Sequence, residues 1–241
     1  MYENGNGVTK DIRKAMEWYQ KAAAQGNAAA KTNLDQKVEE YQKEANLGDA
    51  KAQNNLGWMY QHGLGVAQED QEAVKWYQQA ADQENEEAQF KLGYMYYYGK
   101  GVAKDEAKAF EWFQKAANQG DAKAKFNLGS MYLTGRGVPQ DDTKAVEWFQ
   151  KAADQGNIVA QANLGWMYQN GRGVTQDNKK AVEWYQQAAD QGNSEAQYNL
   201  GLMYENGNGV IKDIRKAMEW YQKAAAQGNI AAKGKVQQLT N

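Results

Sequence analysis

The chain has 241 residues, and its 28 Lys and Arg stand against 30 Asp and Glu, a formal net charge of −2. That near balance argues against a nucleic-acid grip, which needs clustered basic surface to displace counterions. With no cysteine there is no disulfide framework and no thiolate chemistry, and no apolar run approaches the roughly 20 residues of a membrane-spanning helix. A single proline, Pro139, and abundant Ala, Gln, Lys and Glu point to helices, with most of the 24 glycines between them. The opening MYENGNGVTKDIRK has no apolar segment of the secretory type. The compartment stays open: cytoplasmic as the chain stands, periplasmic or secreted if it is a trimmed fragment.

In chain order, the first stretch is MYENGNGVTKDIRKAMEWYQKAAAQGN, Met1 to Asn27, which returns at Met203 to Asn229 with Ile211 in place of Thr9. The pairs Trp76-Tyr77, Trp112-Phe113, Trp148-Phe149, Trp184-Tyr185 and Trp220-Tyr221 fall 36 residues apart, whereas Trp18-Tyr19 lies 58 residues before Trp76. Residues 1–27 therefore read as a truncated repeat, a loop plus a second helix, and residues 28–49 as a shortened repeat of 22 residues. Five full repeats follow at 50–85, 86–121, 122–157, 158–193 and 194–229, then a polar capping helix at 230–241. The shortened unit has no glycine from Ala28 to Leu47 and carries Leu34, Val38, Tyr41 and Ala45 as one apolar stripe. That predicts a single helix of about 18 residues in place of a hairpin, and lets the half-unit before it pack differently from its twin at 203–229.

Each full repeat reads as two helices. Ala52, Leu56, Met59 and Tyr60 mark the inward face of the first, and Gly63-Leu64-Gly65-Val66 breaks it. Glu69, Asp105, Asp141, Asp177 and Asp213 stand where an N-cap or first-turn carboxylate opens the second helix, whose inward face in the 50–85 repeat is Ala73, Val74, Tyr77, Ala80 and Ala81. Gly120, Gly156, Gly192 and Gly228 close it in a left-handed C′ conformation, and Glu84 breaks this rule, which predicts a different turn or local strain there. Gly57, Gly93, Gly129, Gly165 and Gly201 sit inside the first helix, where the missing side chain lets the second helix approach closely.

The recurring pattern A-x-x-x-L-G-x-M-Y-x-x-G-x-G-V-x-x-D-x-x-K-A-x-E-W-Y-x-K-A-A-x-Q-G is matched at nearly every fixed position from Asn163-Leu164-Gly165-Trp166-Met167-Tyr168 through Gln191-Gly192-Asn193. It resembles the Sel-one-like repeat, a relative of the tetratricopeptide repeat, over almost the whole chain. The resemblance implies an all-α fold, a right-handed α/α solenoid (superhelix) of 36-residue helix-loop-helix repeats. It also implies a scaffold role in protein–protein interaction, common in bacterial and endoplasmic-reticulum quality-control proteins, with a concave surface built from successive first helices.

Positions that repeat without change serve stacking, and outward positions that change are free to read a ligand. On the first helices the changing stripe is Asn54, Trp58 and Gln61; Phe90, Tyr94 and Tyr97; Phe126, Ser130 and Leu133; Ala162, Trp166 and Gln169; Tyr198, Leu202 and Glu205. By analogy with tetratricopeptide helices these positions line the groove. Rings that each bury about 150–250 Å² when covered make it an aromatic protein- or peptide-binding groove centred on Trp58, Phe90, Tyr94, Tyr97, Phe126 and Trp166, unless some pack on neighbouring helices as core. The same rings would serve a glycan. Trp18, Trp76, Trp112, Trp148, Trp184 and Trp220 recur without change and read as packing.

Nothing points to catalysis, a cofactor or a metal. The Gly-x-Gly loops lack the Lys-Ser/Thr or third glycine of phosphate-binding loops, and His62, the only histidine, has no partner and reads as a solvent-facing loop residue. The only serines, Ser130 and Ser194, have no lysine three residues on. The expected reading is a non-enzymatic scaffold that binds a protein or peptide, with no nucleic acid and no membrane insertion. Residues 1–27 could also dock on another chain's first helix, giving self-association, if they are not simply the edge of a longer array.

Overall fold

The structure is a computed structural model that describes residues 11–240. The expected loop at the start of the truncated repeat lies outside them. Among the described residues there are thirteen helices and no strand. The chain divides into two compact units, Met1–Gln119 and Gly120–Asn241. The first holds α1 (Ile12–Ala24), α2 (Ala28–Asn46), α3 (Ala50–His62), α4 (Asp70–Asp82), α5 (Glu86–Tyr98) and α6 (Glu106–Gln119). The second holds α7 (Ala122–Thr134), α8 (Asp142–Ala153), α9 (Ile158–Asn170), α10 (Asn178–Asp190), α11 (Ser194–Asn206), α12 (Ile214–Ala226) and α13 (Ile230–Thr240). In each unit antiparallel hairpins (α3/α4 and α5/α6; α7/α8, α9/α10 and α11/α12) stack in series, the right-handed α/α solenoid architecture.

One contact sets the hairpin. The ring that follows each second-helix tryptophan, Tyr77, Phe113, Phe149, Tyr185 or Tyr221, is buried against the glycine of its own first helix. A Cβ placed on Gly165 would stand 2.5 Å from Tyr185 Cδ1, and one on Gly57 2.8 Å from Tyr77 Cδ1, so no other residue admits the ring. The tryptophans themselves pack less deeply. Trp76, Trp184 and Trp220 are half-buried beside the core, and Lys115, Lys151 and Lys223 lie over the rings of Trp112, Trp148 and Trp220 at 3.8, 4.1 and 3.9 Å.

The helix ends are capped as the carboxylates suggest, with one exception. Asp105, Asp141, Asp177 and Asp213 accept from backbone N–H groups in the first turn of α6, α8, α10 and α12. Glu69 occupies the same place before α4 and makes no such bond. The second helix of one repeat is joined to the next repeat by a buried glutamine. Gln53, Gln89, Gln161 and Gln197 each donate from Nε2 to the carbonyl of Ala45, Ala81, Ala153 and Ala189 at a preceding helix end. Their Oε1 atoms accept from Gln83, Gln119, Gln191 and Gln227 at 2.7, 2.8, 2.7 and 2.8 Å. Both halves of a buried amide are thereby satisfied, which an interior polar group requires.

Residues 28–46 form one helix, and α2 does two jobs: it follows α1, and its end at Ala45 receives Gln53 as a second helix would. Its stripe residues Leu34 and Ala45 are buried, with Val38 and Tyr41 packed beside them. In the full hairpins the glycine that seats the ring lies on the preceding helix, as Gly201 of α11 does for Tyr221 of α12, whereas α1 packs on α2, which follows it and carries no glycine. The thirteen residues IRKAMEWYQKAAA bury overlapping but shifted faces in their two copies: Ala15 and Met16 in α1, but Ala217, the twin of Ala15, with Tyr221 and Ala224 in α12. Trp18 is 57% exposed, and Tyr19, whose twin Tyr221 is fully buried, is half-buried. At the far end, α13 buries Ala232 and packs Val236 and Leu239 on α12. His62 is the last residue of α3, its ring nitrogen 2.8 Å from the Trp58 carbonyl, rather than a loop residue.

Glu84 resolves to strain. Its turn has the same bonds as its glycine counterparts (Glu84 N–H to Ala81 O at 3.0 Å; Gly156 N–H to Ala153 O at 2.8 Å), yet it holds φ at +63°, alone among the described non-glycine residues. The left-handed region costs a residue with a Cβ about 1–2 kcal/mol, part of which glycine returns as extra freedom in the unfolded chain. Glu84→Gly should raise the melting temperature by roughly 1–3 °C, measured by circular dichroism; an unchanged or lowered midpoint would contradict the strain.

Candidate functional site

The stripe residues fall at three levels on the first helices, each with a different environment. At the level nearest the loop, variation follows the core. The buried Tyr77 and Tyr185 hydroxyls donate to Gln61 and Gln169 Oε1, each at 2.8 Å, and the Tyr221 hydroxyl donates to Glu205. Where the buried ring is a phenylalanine, Phe113 or Phe149, the residue at this level is Tyr97 or Leu133, and it packs on that ring or its cluster. Burial pushes all three tyrosine hydroxyls well above their ordinary range, for Tyr221 with help from the Glu205 carboxylate. Burial would also raise Glu205, but hydrogen bonds from Tyr221 and Lys235 outweigh it and hold that carboxyl below its usual value. Lys235 reaches Glu205 from α13 at 2.9 Å.

At the level nearest the helix start, Phe90, Phe126 and Tyr198 are half-buried, their rings 5.7, 5.7 and 5.8 Å from Phe113, Phe149 and Tyr221. Ala162 is half-buried beside α11 and Tyr185. Asn54 is buried and donates from Nδ2 to Glu87 Oε2 at 3.0 Å, its Oδ1 having no partner.

The middle level is where the repeats diverge most. Tyr94 stacks on Tyr98 at 4.5 Å with Lys100 over its ring, and Tyr97 meets Tyr98 at 5.0 Å, so a three-tyrosine cluster caps α5. Tyr98, 57% exposed, was not on the expected stripe, although it stands one turn from Tyr94. Ser130 and Leu202 are half-buried. Trp58 and Trp166, identical in motif, differ: Trp166 is 37% exposed and Trp58 only 6%. The expectation that Trp58 and Asn54 line an open surface is therefore corrected by the structure.

What covers Trp58 is α1. The Arg13 guanidinium lies 5.3 Å from the centre of the indole, grips Glu87 with both terminal nitrogens, and donates to Asn55 Oδ1 at 3.2 Å. Ile12, Met16 and Tyr19 lie against the same cluster. Burial works to raise the Glu87 carboxyl, but Arg13 and the Asn54 amide hold it below its ordinary value. Neither Arg13 nor Glu87 stood out in the sequence, because each is one charge among many on a helix surface.

Stacked two-helix repeats of this geometry define an α/α repeat protein of the tetratricopeptide-like class. The Sel1 repeat matches residues 1–27, 50–85, 86–121, 122–157, 158–193 and 194–229, and the chain belongs to that family. Among solved structures it is similar to c5321, a protective antigen of uropathogenic Escherichia coli strains with an SLR fold, at 39% identity and a TM-score of 0.83 over 99% of this chain and 54% of that one. The chain thus spans about half the length of c5321. A Sel1 repeat protein from Oxalobacter formigenes matches at 35% identity and TM-score 0.76, over 86% of this chain and 87% of its own. No curated protein is significantly similar. No helix among the described residues is long and apolar enough to cross a membrane.

Two measurements check these contacts. Tyr185→Phe and Gln169→Leu should each destabilise by about 1 kcal/mol, while the double variant, which recreates the Phe149/Leu133 pairing, should recover much of it. Additive losses in urea unfolding would show that the two side chains are not coupled. Glu87→Gln should lower hydrogen-exchange protection of α1 and leave that of α12 unchanged, with peptic fragments running on into Ala28 or Ile230 telling the twins apart. Because Glu87 is held low, its contribution is present above about pH 4.3 and lost as pH falls through the depressed value, so acid should loosen α1 in the same way.

Proposed function

We propose that this chain is a non-enzymatic scaffold that holds a protein or peptide on the outward faces of its first helices. The observation that carries the reading is the aromatic surface left partly open at the middle level and beside it: Tyr94, Tyr97 and Tyr98 with Phe90 in the first unit, and Trp166 with Phe126 and Tyr198 in the second. Large rings held by a rigid helix and only partly covered are the usual anchors of protein interfaces, since they bring much area at little entropic cost. Gln61, Gln169 and Glu205 are assigned to the interior, as partners of the buried Tyr77, Tyr185 and Tyr221 hydroxyls, rather than to the binding surface. Asn54 and Trp58 belong to the seat of α1. Seating of α1 on its own chain favours a protomer whose first helix is engaged internally over an exchanged pair.

Tyr94→Ala and Trp166→Ala, one in each unit, should keep full helicity and a melting temperature within about 3 °C of the parent, because both rings are partly solvated. Each should reduce the proteins retained from a lysate of the source cells. A variant that unfolds shows its ring to be core, and an unchanged retained set removes the ring from the interface. Signal on a glycan array that both variants abolish, with no protein retained, would replace the scaffold reading with a glycan-binding one.

A further inference from the structure

We propose that Asn163, Trp166 and Glu195 form an arginine-reading site whose ligand is an arginine-bearing amphipathic helix of a partner protein. This rests on the scaffold reading and specifies what the partner must carry. The warrant is that the chain already shows an occupant for such a site. In the first unit Arg13 is held by three groups on two consecutive first helices: stacked on Trp58, gripped by the Glu87 carboxylate, and bonded to Asn55. A planar cation that can stack and bond a carboxylate through two nitrogens at once suits this set, and an ammonium does not.

The same three residue types recur 108 residues on, three repeats later, as Asn163 and Trp166 on α9 and Glu195 on α11. All three lie in the second unit, on the same pair of helix types that carries the first set. Elsewhere in that unit the set is broken: one repeat earlier the register holds Asn127, Ser130 and Val159, and one later Asn199, Leu202 and Ala231. Here the site is more exposed. Trp166 keeps 37% of its surface, and Glu195 is exposed. Neither Asn163 nor Glu195 makes a side-chain hydrogen bond or ion pair among the described residues. Arg172 lies 5.5 Å from the Trp166 ring centre, but its Nε is bonded to Asp142 at 2.7 Å, which leaves Glu195 without a cation. Ala162 stands where Asn54 stands in the first set, which exchanges a polar side chain for an apolar floor. In α1 the arginine is accompanied by Ile12 and Met16, on its own side of the helix. The ligand is thus a helix presenting one arginine with large apolar residues one before and three after it.

The test uses the full chain and a defined probe: an N-terminally fluorescein-labelled, C-terminally amidated peptide of residues 11–25, followed by fluorescence anisotropy. Saturable binding is expected. Glu195→Gln or Trp166→Ala in the chain, and Arg13→Ala or Arg13→Lys in the peptide, should each weaken it by about tenfold or more. Thermal melts of the two chain variants should match the parent, so that lost binding is not lost folding. Absence of saturable binding overturns the proposal, as does binding that Glu195→Gln leaves unchanged. Binding abolished by Glu87→Gln and indifferent to Glu195→Gln also overturns it, because the peptide is then replacing α1 over Trp58. If the peptide fails while Trp166→Ala still removes proteins retained from lysate, the scaffold reading stands and the arginine assignment falls.

Discussion

The structure depends on one close approach, a second-helix ring laid on a first-helix glycine. Glycine inside a helix costs about 1 kcal/mol against alanine, and the chain accepts that cost in five successive hairpins. What offsets it is the burial of Tyr77, Phe113, Phe149, Tyr185 or Tyr221: an aromatic ring removes about 150–250 Å² from water, worth roughly 4–6 kcal/mol as an upper bound. A methyl group at any of these glycines would push the ring off the helix axis and with it the whole second helix. The close approach of the two helices within each hairpin follows from that contact.

The same contact explains why variation in an array is an unreliable guide to recognition. Gln61, Tyr97, Leu133, Gln169 and Glu205 differ from repeat to repeat, and difference at an outward position invites a ligand as its cause. The cause is internal. Each answers the ring sixteen residues later, an acceptor where that ring carries a hydroxyl and an apolar or aromatic group where it does not. The pairing is legible once residues are read in pairs across the hairpin rather than down the stripe. A position varies freely only when nothing inside varies with it, and on these first helices the middle level meets that condition best.

The repeat period, the helical hairpins, the carboxylate caps and the special place of Glu84 were legible because each is a local, recurring pattern. Two features were not. Gln53, Gln89, Gln161 and Gln197 look like solvated helix positions in a chain rich in glutamine, and only the stacked neighbour turns them into buried bridges. The orientation of α1 was hidden for a different reason. Its thirteen residues carry two usable faces, one through Met16 and one through the tyrosine, and α12 proves that the identical sequence can use the second. Which face is buried depends on whether the neighbouring helix offers a glycine seat. The seat of Tyr221 is Gly201 on the helix before it, whereas α1 packs on α2, which follows it and offers none, so local preference was silent and the adjoining helix decided.

That decision also determines which part of the stripe is open. Trp58 and Trp166 share a motif and a helix position, yet one is covered and the other is not. The difference lies in α1, which reaches over the first indole, whereas among the described residues Trp166 is met by Arg172 of its own repeat and stays more exposed. A surface that accepts a helix in its own chain has shown the chemistry it can satisfy: a ring for a planar cation to stack on, a carboxylate for its two nitrogens, and apolar neighbours on either side. Where the same residues recur more exposed, Arg172 approaches the indole but the pairing that Arg13 makes with Glu87 has no counterpart at Glu195, and a ligand that supplies both an arginine and an apolar helix face meets the surface on the terms the protein already uses internally.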